Sequence, residues 1–157
     1  MSQEPLKAAR RWARAVLLQL ERYFASVDRL GVVINEAPDE PEYGANYGDA
    51  FGDVQTEIYF LLVAARQLVK SSAGIERLTV AERTAIRDVR DVLEHHEQVD
   101  VGNSRAEAHL QVSHPGLTVG AGWIGRNAPE LFGIVDLRSL QSACTAIVRE
   151  AADLRGD

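Results

Sequence analysis

The chain has 157 residues, an ordinary globular composition and a formal net charge of −6. That length fits one domain with a hydrophobic core, and the acidic balance argues against a general DNA-binding surface, which is usually basic. No apolar run approaches the roughly 20 residues that span a bilayer. The single cysteine, Cys144, cannot form an internal disulfide, which predicts a reducing, cytoplasmic location.

The first predicted helix has the clearest pattern, because apolar residues recur every seven positions in two rows. The rows are Leu6, Ala13, Leu20 and Val27, and Ala9, Val16, Tyr23 and Leu30. Such rows form the buried stripe of a bundle helix. Gly31 stands where a glycine would end the helix. We interpret the cations before AVLLQL as part of this amphipathic helix, not as the start of a signal peptide; they are Lys7, Arg10, Arg11 and Arg14.

The next segment, residues 35–49 (NEAPDEPEYGANYGD), is rich in acids and contains prolines and glycines, so it predicts an exposed acidic loop. A second helix begins near Asp49 or Asp53 and ends at SSAG. Its broad apolar stripe consists of Val54, Ile58, Leu61, Leu62, Ala65, Leu68 and Val69. This stripe predicts the most buried helix of the chain.

The third predicted helix opens with a capping box, in which the Thr79 side chain caps the Glu82 backbone N–H and the Glu82 side chain reaches back. The helix should run to about Val99. Its apolar side consists of Ala85, Ile86, Val89 and Leu93.

The Gly-rich segments LTVGAGWI and ELFGIVDL predict a β-hairpin or extended insertion at about residues 115–136. Its large apolar residues should pack on the helices or else mark an interface; they are Trp123, Ile124, Leu131 and Phe132. Asp136 should cap a fourth helix. The apolar face of that helix consists of Leu140, Cys144, Ile147, Val148 and Ala151.

The predicted fold class is therefore mainly α: a four-helix bundle with a hairpin insertion between helices three and four. Because no internal repeat or second domain is visible, residues 1–157 should form a single helical domain.

Three short patterns are better explained by structure than by chemistry. GAGWIG (120–125) matches G-x-G-x-x-G but lacks the βαβ context of a dinucleotide site, so its glycines predict a bend. Ser113 and His114 precede Pro115 in what should be a turn. The four histidines have no standard zinc spacing, and His95 and His96 diverge by about 100° on a helix, so no metal site is predicted.

The stretch RDVLEHHE (90–97) on the third helix raises two possibilities. Arg90 and Glu94 have the i, i+4 spacing of an ion pair, so the stretch can be a solvated, salt-bridged face. His95 instead adds chemistry, because an imidazole moves protons at neutral pH and a guanidinium binds phosphate oxygens bidentately. If both met one phosphate, they would support RNA cleavage through the 2′-hydroxyl.

RDVLEHHE also resembles the signature of the HEPN superfamily, an Arg, a polar residue, a short spacer and a His on a late helix of a helical bundle. Arg90, Asp91 and His95 fit the Arg-polar-x3-His form, and His96 gives a match with one more spacer residue. A form with acids around the His is matched as well; those acids are Glu94 and Glu97.

The resemblance implies a metal-independent endoribonuclease without a cofactor, of toxin–antitoxin or phage-defence type. It implies a homodimer with facing motifs, an RNA substrate, an antitoxin or other protein partner, and no membrane. On this model Arg90 binds the scissile phosphate, His95 (or His96) is the general acid or base, and Asp91 orients Arg90 or His95. Glu94 and Glu97 support the motif.

Two alternatives stay open at this point. The first is a non-catalytic HEPN-like helical module that binds a protein partner or a nucleotide, in which Glu94 locks Arg90 or the motif faces away from any cleft. The second is an unrelated helical bundle with a structural or adaptor role, in which residues 90–97 are a plain solvated face.

Overall fold

The chain folds mainly into α-helices, as its apolar patterns predict. The structure is a computed structural model that describes residues 3–36, 41–95 and 130–153. Within these ranges there are five helices and one two-stranded antiparallel sheet. The helices are α1 (Gln3–Ile34), α2 (Tyr43–Val69), α3 (Ser72–Arg77), α4 (Val80–His95) and α5 (Leu137–Asp153), and the strands are β1 (Glu130–Leu131) and β2 (Val135–Asp136).

The hydrophobic core forms where the predicted apolar stripes meet. Both heptad rows of α1 are buried, and none of their eight residues is more than 8% exposed. The stripes of α2, α4 and α5 join the same core, with Leu93 and Val148 partly buried at its edge. α1 packs against α2 and α5, and α4 packs against α2 and β2. The buried faces predicted from helical spacing are therefore confirmed.

The end of α1 lies beyond the predicted stop, because the helix continues through Gly31 to Ile34. Val33 is buried, so the apolar stripe extends one turn past the glycine. The Asn35 side-chain amide donates to the Gly31 carbonyl at 2.7 Å and satisfies an acceptor that the helix end leaves open. The prediction that Gly31 ends the helix is therefore wrong.

The start of α2 also differs from the prediction, because the helix begins at Tyr43, within the segment predicted as a loop. Tyr43, Tyr47 and Phe51 stack at four-residue intervals, with ring centroids 6.3 and 6.0 Å apart. Such i, i+4 contacts stabilise a helix, and glycines between the aromatic residues obscured the pattern in the sequence. Residues 44–49 are exposed, as predicted for this segment, but they are helical.

The short helix α3 was not predicted from the sequence. Ser71 caps it, because its hydroxyl accepts from the Gly74 N–H at 3.1 Å while donating to the Leu68 carbonyl at 2.6 Å. The second bond ties the start of α3 to the end of α2. SSAG therefore ends one helix, as predicted, and also begins another.

The predicted insertion contains a hairpin, which lies within ELFGIVDL. β1 and β2 pair antiparallel, with Glu130 opposite Asp136 and Leu131 opposite Val135. Because the chain reverses inside this segment, ELFGIVDL is not one continuous strand. LTVGAGWI, the other segment of the predicted insertion, lies outside the described residues.

The reversal is made by Phe132 and Gly133, which both have left-handed backbone angles (φ 54° and 71°). Glycine adopts this conformation freely, whereas a bulky residue adopts it rarely. Phe132 is 5% exposed and Leu131 is fully buried, so both pack in the core and do not form an exposed interface.

The length and apolar character of the helices bear on membrane insertion, and the end of α4 bears on the predicted helix boundary. None of the described helices combines the length and the apolar character required to cross a membrane. The structure describes α4 as far as His95, and the predicted continuation to about Val99 lies outside the described residues.

Candidate functional site

The candidate site lies on α4, whose first turn is held by the predicted capping box. The Thr79 backbone N–H donates to Glu82 Oε2 at 2.7 Å, and the Glu82 N–H donates to Thr79 Oγ1 at 3.2 Å. The two residues thus satisfy each other's open donors, as the Thr-x-x-Glu pattern predicts. This reciprocal cap fixes where α4 begins.

Glu82 also joins α4 to α5, because the Ser139 hydroxyl donates to Glu82 Oε1. Partial burial works against the charged form of Glu82. Hydrogen bonds from the Ser139 hydroxyl, the Thr79 N–H and the Thr79 hydroxyl outweigh that effect, so the pKa of Glu82 is lowered from its ordinary value. Asp136 caps α5 as predicted, since its Oδ1 accepts from the N–H groups of Arg138 at 2.8 Å and Ser139 at 3.0 Å.

The buried face of α4 determines which way the motif residues point. Ala85, Ile86 and Val89 are at most 3% exposed and face the core. Arg90 lies beside this stripe, with a side chain that is 28% exposed. Asp91 lies further from it, with a side chain that is 49% exposed. The predicted site residues that the structure describes are therefore accessible from solvent on a helix that is anchored through its other face.

Two ion pairs follow one another on the accessible side of α4. Arg87 Nε lies 2.8 Å from Asp88 Oδ1, and Arg90 Nη1 lies 3.6 Å from Asp91 Oδ1. The hydrogen bond and the charge of Asp88 raise the pKa of Arg87. The longer Arg90–Asp91 contact is a charge interaction and not a direct hydrogen bond.

Two of these contacts were not anticipated from the sequence. Asp88 is 16% exposed and holds Arg87, but nothing in its spacing distinguishes it from other acids of the helix. Ser139 lies 57 positions after Glu82, and only tertiary packing brings it to that carboxylate. Asp136 at the start of α5 was the available signal that this part of the chain lies at a helix end.

The remaining motif side chains lie outside the described part of the structure. Glu94 and His95 belong to α4 by their backbone, but their side chains are not described, and His96 and Glu97 lie beyond the described range. The Arg90–Glu94 ion pair and the position of the His95 imidazole therefore stay predictions.

The geometry of Arg90 and Asp91 is suited to binding an anion. A guanidinium presents several N–H donors in a planar fork that matches phosphate oxygens. A carboxylate 3.6 Å away restricts where that fork points, because it favours some arginine rotamers over others. Arg90 can therefore bind a phosphate through its Nη donors, with its orientation restricted by Asp91, while proton transfer requires another group.

Other reactive groups in the described ranges are few. No three histidine, cysteine or carboxylate side chains come together there as a metal site would require. Cys144 is fully buried, and burial raises the pKa of its thiol to about 12, which keeps it protonated at neutral pH. Ser113, His114 and GAGWIG lie outside the described residues.

Comparisons with known proteins give no family or relative for this chain: no family model, curated protein or solved structure matches it.

Proposed function

We propose that this protein is a HEPN-like, metal-independent endoribonuclease that acts as a homodimer. The observation that carries the proposal is the placement of Arg90 beside Asp91 on the accessible side of α4, with Arg90 Nη1 3.6 Å from Asp91 Oδ1. Arg90 is the phosphate-binding residue of this proposal, and Asp91 orients it. The opposite face of α4 is buried in the core, so the helix is a rigid support for both.

The proposed reaction uses the RNA's own 2′-hydroxyl as the nucleophile. Its oxygen attacks the adjacent phosphorus, and the bond from phosphorus to the 5′ oxygen of the next nucleotide breaks. The products carry a 2′,3′-cyclic phosphate and a 5′-hydroxyl. Arg90 neutralises the phosphate oxygens as negative charge builds up, and His95 moves the proton because an imidazole titrates at about pH 6.5.

A dimer solves a geometric difficulty in this mechanism. Arg90 and His95 are five residues apart, which corresponds to about 140° round an α-helix. When two copies of α4 face each other across a cleft, Arg90 of one protomer approaches His95 of the other. Both side chains can then reach the same phosphate, which a single helix does not bring about.

The proposal extends to the fold and the cellular setting. α1, α2, α4 and α5 are the four helices of a HEPN-like bundle with the motif on its third long helix, and the β1–β2 hairpin belongs to an insertion before the fourth. The protein acts in the cytoplasm as a toxin or phage-defence effector, and an antitoxin or another protein partner restrains it.

The test is cleavage of mixed-sequence RNA by the purified protein in the presence of EDTA. We expect the wild type to leave 2′,3′-cyclic phosphate ends. Arg90→Ala and His95→Ala should each lower the rate by about 10²–10⁴-fold, because each removes charge neutralisation or proton transfer. His96→Ala, made in parallel, identifies which of the adjacent histidines acts.

Arg87→Ala is the matched control, since Arg87 lies on the same helix, is 48% exposed and also pairs with the next residue. It should leave the cleavage rate within a few-fold of the wild type. Cleavage that persists in Arg90→Ala and His95→Ala, or that requires a divalent metal, would contradict the proposal.

An exposed aromatic pair favours a second candidate, a non-catalytic HEPN-like helical module that binds a protein partner. Tyr59 and Phe60 on α2 are 39% and 50% exposed, and their rings lie 5.8 Å apart edge to face. Exposed aromatic residues are frequent at protein interfaces. Absence of cleavage across diverse RNAs, together with a partner lost in Phe60→Ser, would favour this candidate.

A further inference from the structure

A row of cations lies on the exposed side of α1, within a chain that is acidic overall. This α1 cation row consists of Lys7, Arg10, Arg11 and Arg14. Its members follow the i, i+3, i+4, i+7 spacing that places residues on one helix face. Lys7, Arg11 and Arg14 are exposed, and Arg10 is half-buried. The row spans about 10 Å along the helix axis.

The row lies in a stretch of α1 that contains no acid and that is flanked by Glu4 and Glu21. No Asp or Glu occurs from residue 5 to residue 20. Among the described residues, none of the four cations forms a salt bridge. Arg11 is partly fixed by the Trp12 ring, whose centroid lies 5.4 Å from the guanidinium carbon. The described acids of the α1–α2 connection, Glu36 and Glu42, lie toward the other end of α1.

The surroundings of the row favour a nucleic-acid backbone over a membrane or a protein. An amphipathic helix binds a bilayer through its apolar face, but Ala9, Ala13 and Val16 are buried in the core. A protein interface needs an apolar centre. The large apolar side chain between positions 7 and 14, Trp12, is half-buried against the core, and the first exposed one along α1 is Leu18. A polar, strongly cationic surface is instead typical of protein–nucleic acid contacts.

We propose that the α1 cation row binds the phosphate backbone of single-stranded RNA. The choice of RNA as the bound polyanion rests on the proposed function. α1 packs against α2 and α5, whereas α4 packs against α2 and β2, so the row and Arg90 lie on helices that have no extensive contact with each other. The row therefore holds a part of the strand away from the scissile phosphate and supplies the local positive charge that an acidic protein requires to retain RNA.

The test is the fluorescence anisotropy of a labelled single-stranded RNA of mixed sequence, titrated with full-length protein at several salt concentrations. All proteins carry Arg90→Ala, so that cleavage does not interfere. Arg11→Gln with Arg14→Gln should weaken binding on the order of tenfold. It should also lower the slope of log K against log salt by about 1.4, since each single-strand phosphate contact contributes about 0.7.

Arg29→Gln with Arg138→Gln is the matched control. These two exposed arginines lie far along α1 and at the start of α5, and Arg29 is already paired with Asp53. Arg90→Ala lowers the formal net charge from −6 to −7, and both double variants then remove two more positive charges and lower it to −9. The control should therefore keep most of the affinity and of the salt slope.

Each outcome decides the inference. Equal losses in both double variants would overturn it, because only net charge would then matter. No loss in Arg11→Gln with Arg14→Gln, or tighter binding to phosphatidylserine vesicles or polyglutamate than to RNA, would also overturn it. RNA binding that depends on the row, with no cleavage by the wild type, would support the α1 cation row as an RNA-binding surface and contradict the proposed nuclease activity.

Discussion

Gly74 is the residue whose size the fold restricts most clearly. A Cβ atom built there would lie 2.8 Å from the Leu68 carbonyl carbon and would overlap the carbonyl oxygen. Both atoms belong to the backbone of α2, so they cannot move aside as a flexible side chain would. The tight crossing between α2 and α3 therefore requires glycine at this position.

Gly74→Ala should lower the free energy of unfolding by about 1–3 kcal/mol, because the added methyl group forces the α2–α3 connection apart. The matched control is Gly31→Ala, where a Cβ would meet no atom within 4 Å. That change should raise the free energy of unfolding by about 0.5–1 kcal/mol, because alanine favours a helix interior. Urea denaturation followed by circular dichroism measures both, and equal effects would refute the steric explanation.

At the scale of secondary-structure elements, Glu82 connects the start of α4 to the start of α5. One carboxylate closes the capping box with Thr79 and accepts a hydrogen bond from Ser139. Leu78, Ile86, Val135 and Leu140 line a shallow apolar depression beside it. An ionised carboxylate accepts hydrogen bonds more strongly than a protonated one, so the connection should contribute most to the stability of the fold when Glu82 is charged.

The pH dependence of this connection follows from the lowered pKa of Glu82. Its pKa in the unfolded chain is near 4.5 and is lower in the folded protein. The stabilisation is present above the unfolded value and is lost as the pH falls through the folded one. Glu82→Gln should thus lower the free energy of unfolding by on the order of 1 kcal/mol at neutral pH, and the difference should shrink as the pH falls through the folded pKa of Glu82.

Urea denaturation of the wild type and of Glu82→Gln at a series of pH values measures that difference. Ser139→Ala tests the inter-helix part alone, since it leaves the capping box with Thr79 in place. A difference that does not change with pH would show that ionisation of Glu82 contributes nothing to stability.

At the scale of the whole molecule, the described helices share one core, and labelling of Cys144 measures the unfolding of that core. The thiol is fully buried on α5, and burial raises its pKa to about 12. The thiolate is the form that reacts with disulfide reagents, so the folded protein should protect this cysteine at about pH 8. Labelling with Ellman's reagent across a urea series should follow the loss of helical circular dichroism.

The double variant Ser142→Cys with Cys144→Ala is the control, because Ser142 is exposed on the same helix. It should be labelled at once in buffer without urea. Rapid labelling of Cys144 in the folded wild type would contradict the buried position of α5.

Sequence patterns alone determined the helical character of the chain and the buried face of each long helix. Heptad rows, apolar stripes and the Thr79–Glu82 capping box depend on residues within about two turns of each other, so local spacing is sufficient to recognise them. Local spacing paired Arg90 with Glu94, whereas the contact of Arg90 with Asp91 is a finding of the structure.

Only the tertiary structure decided where elements begin, end and meet. α1 passes Gly31 because Val33 is buried, α3 exists because Gly74 lets it approach Leu68, and ELFGIVDL folds back because its apolar residues reach the core. Contacts between distant residues, such as Glu82 with Ser139, leave no local periodic signal. Element boundaries therefore depended on packing free energy, which local propensity opposes or supports but does not determine.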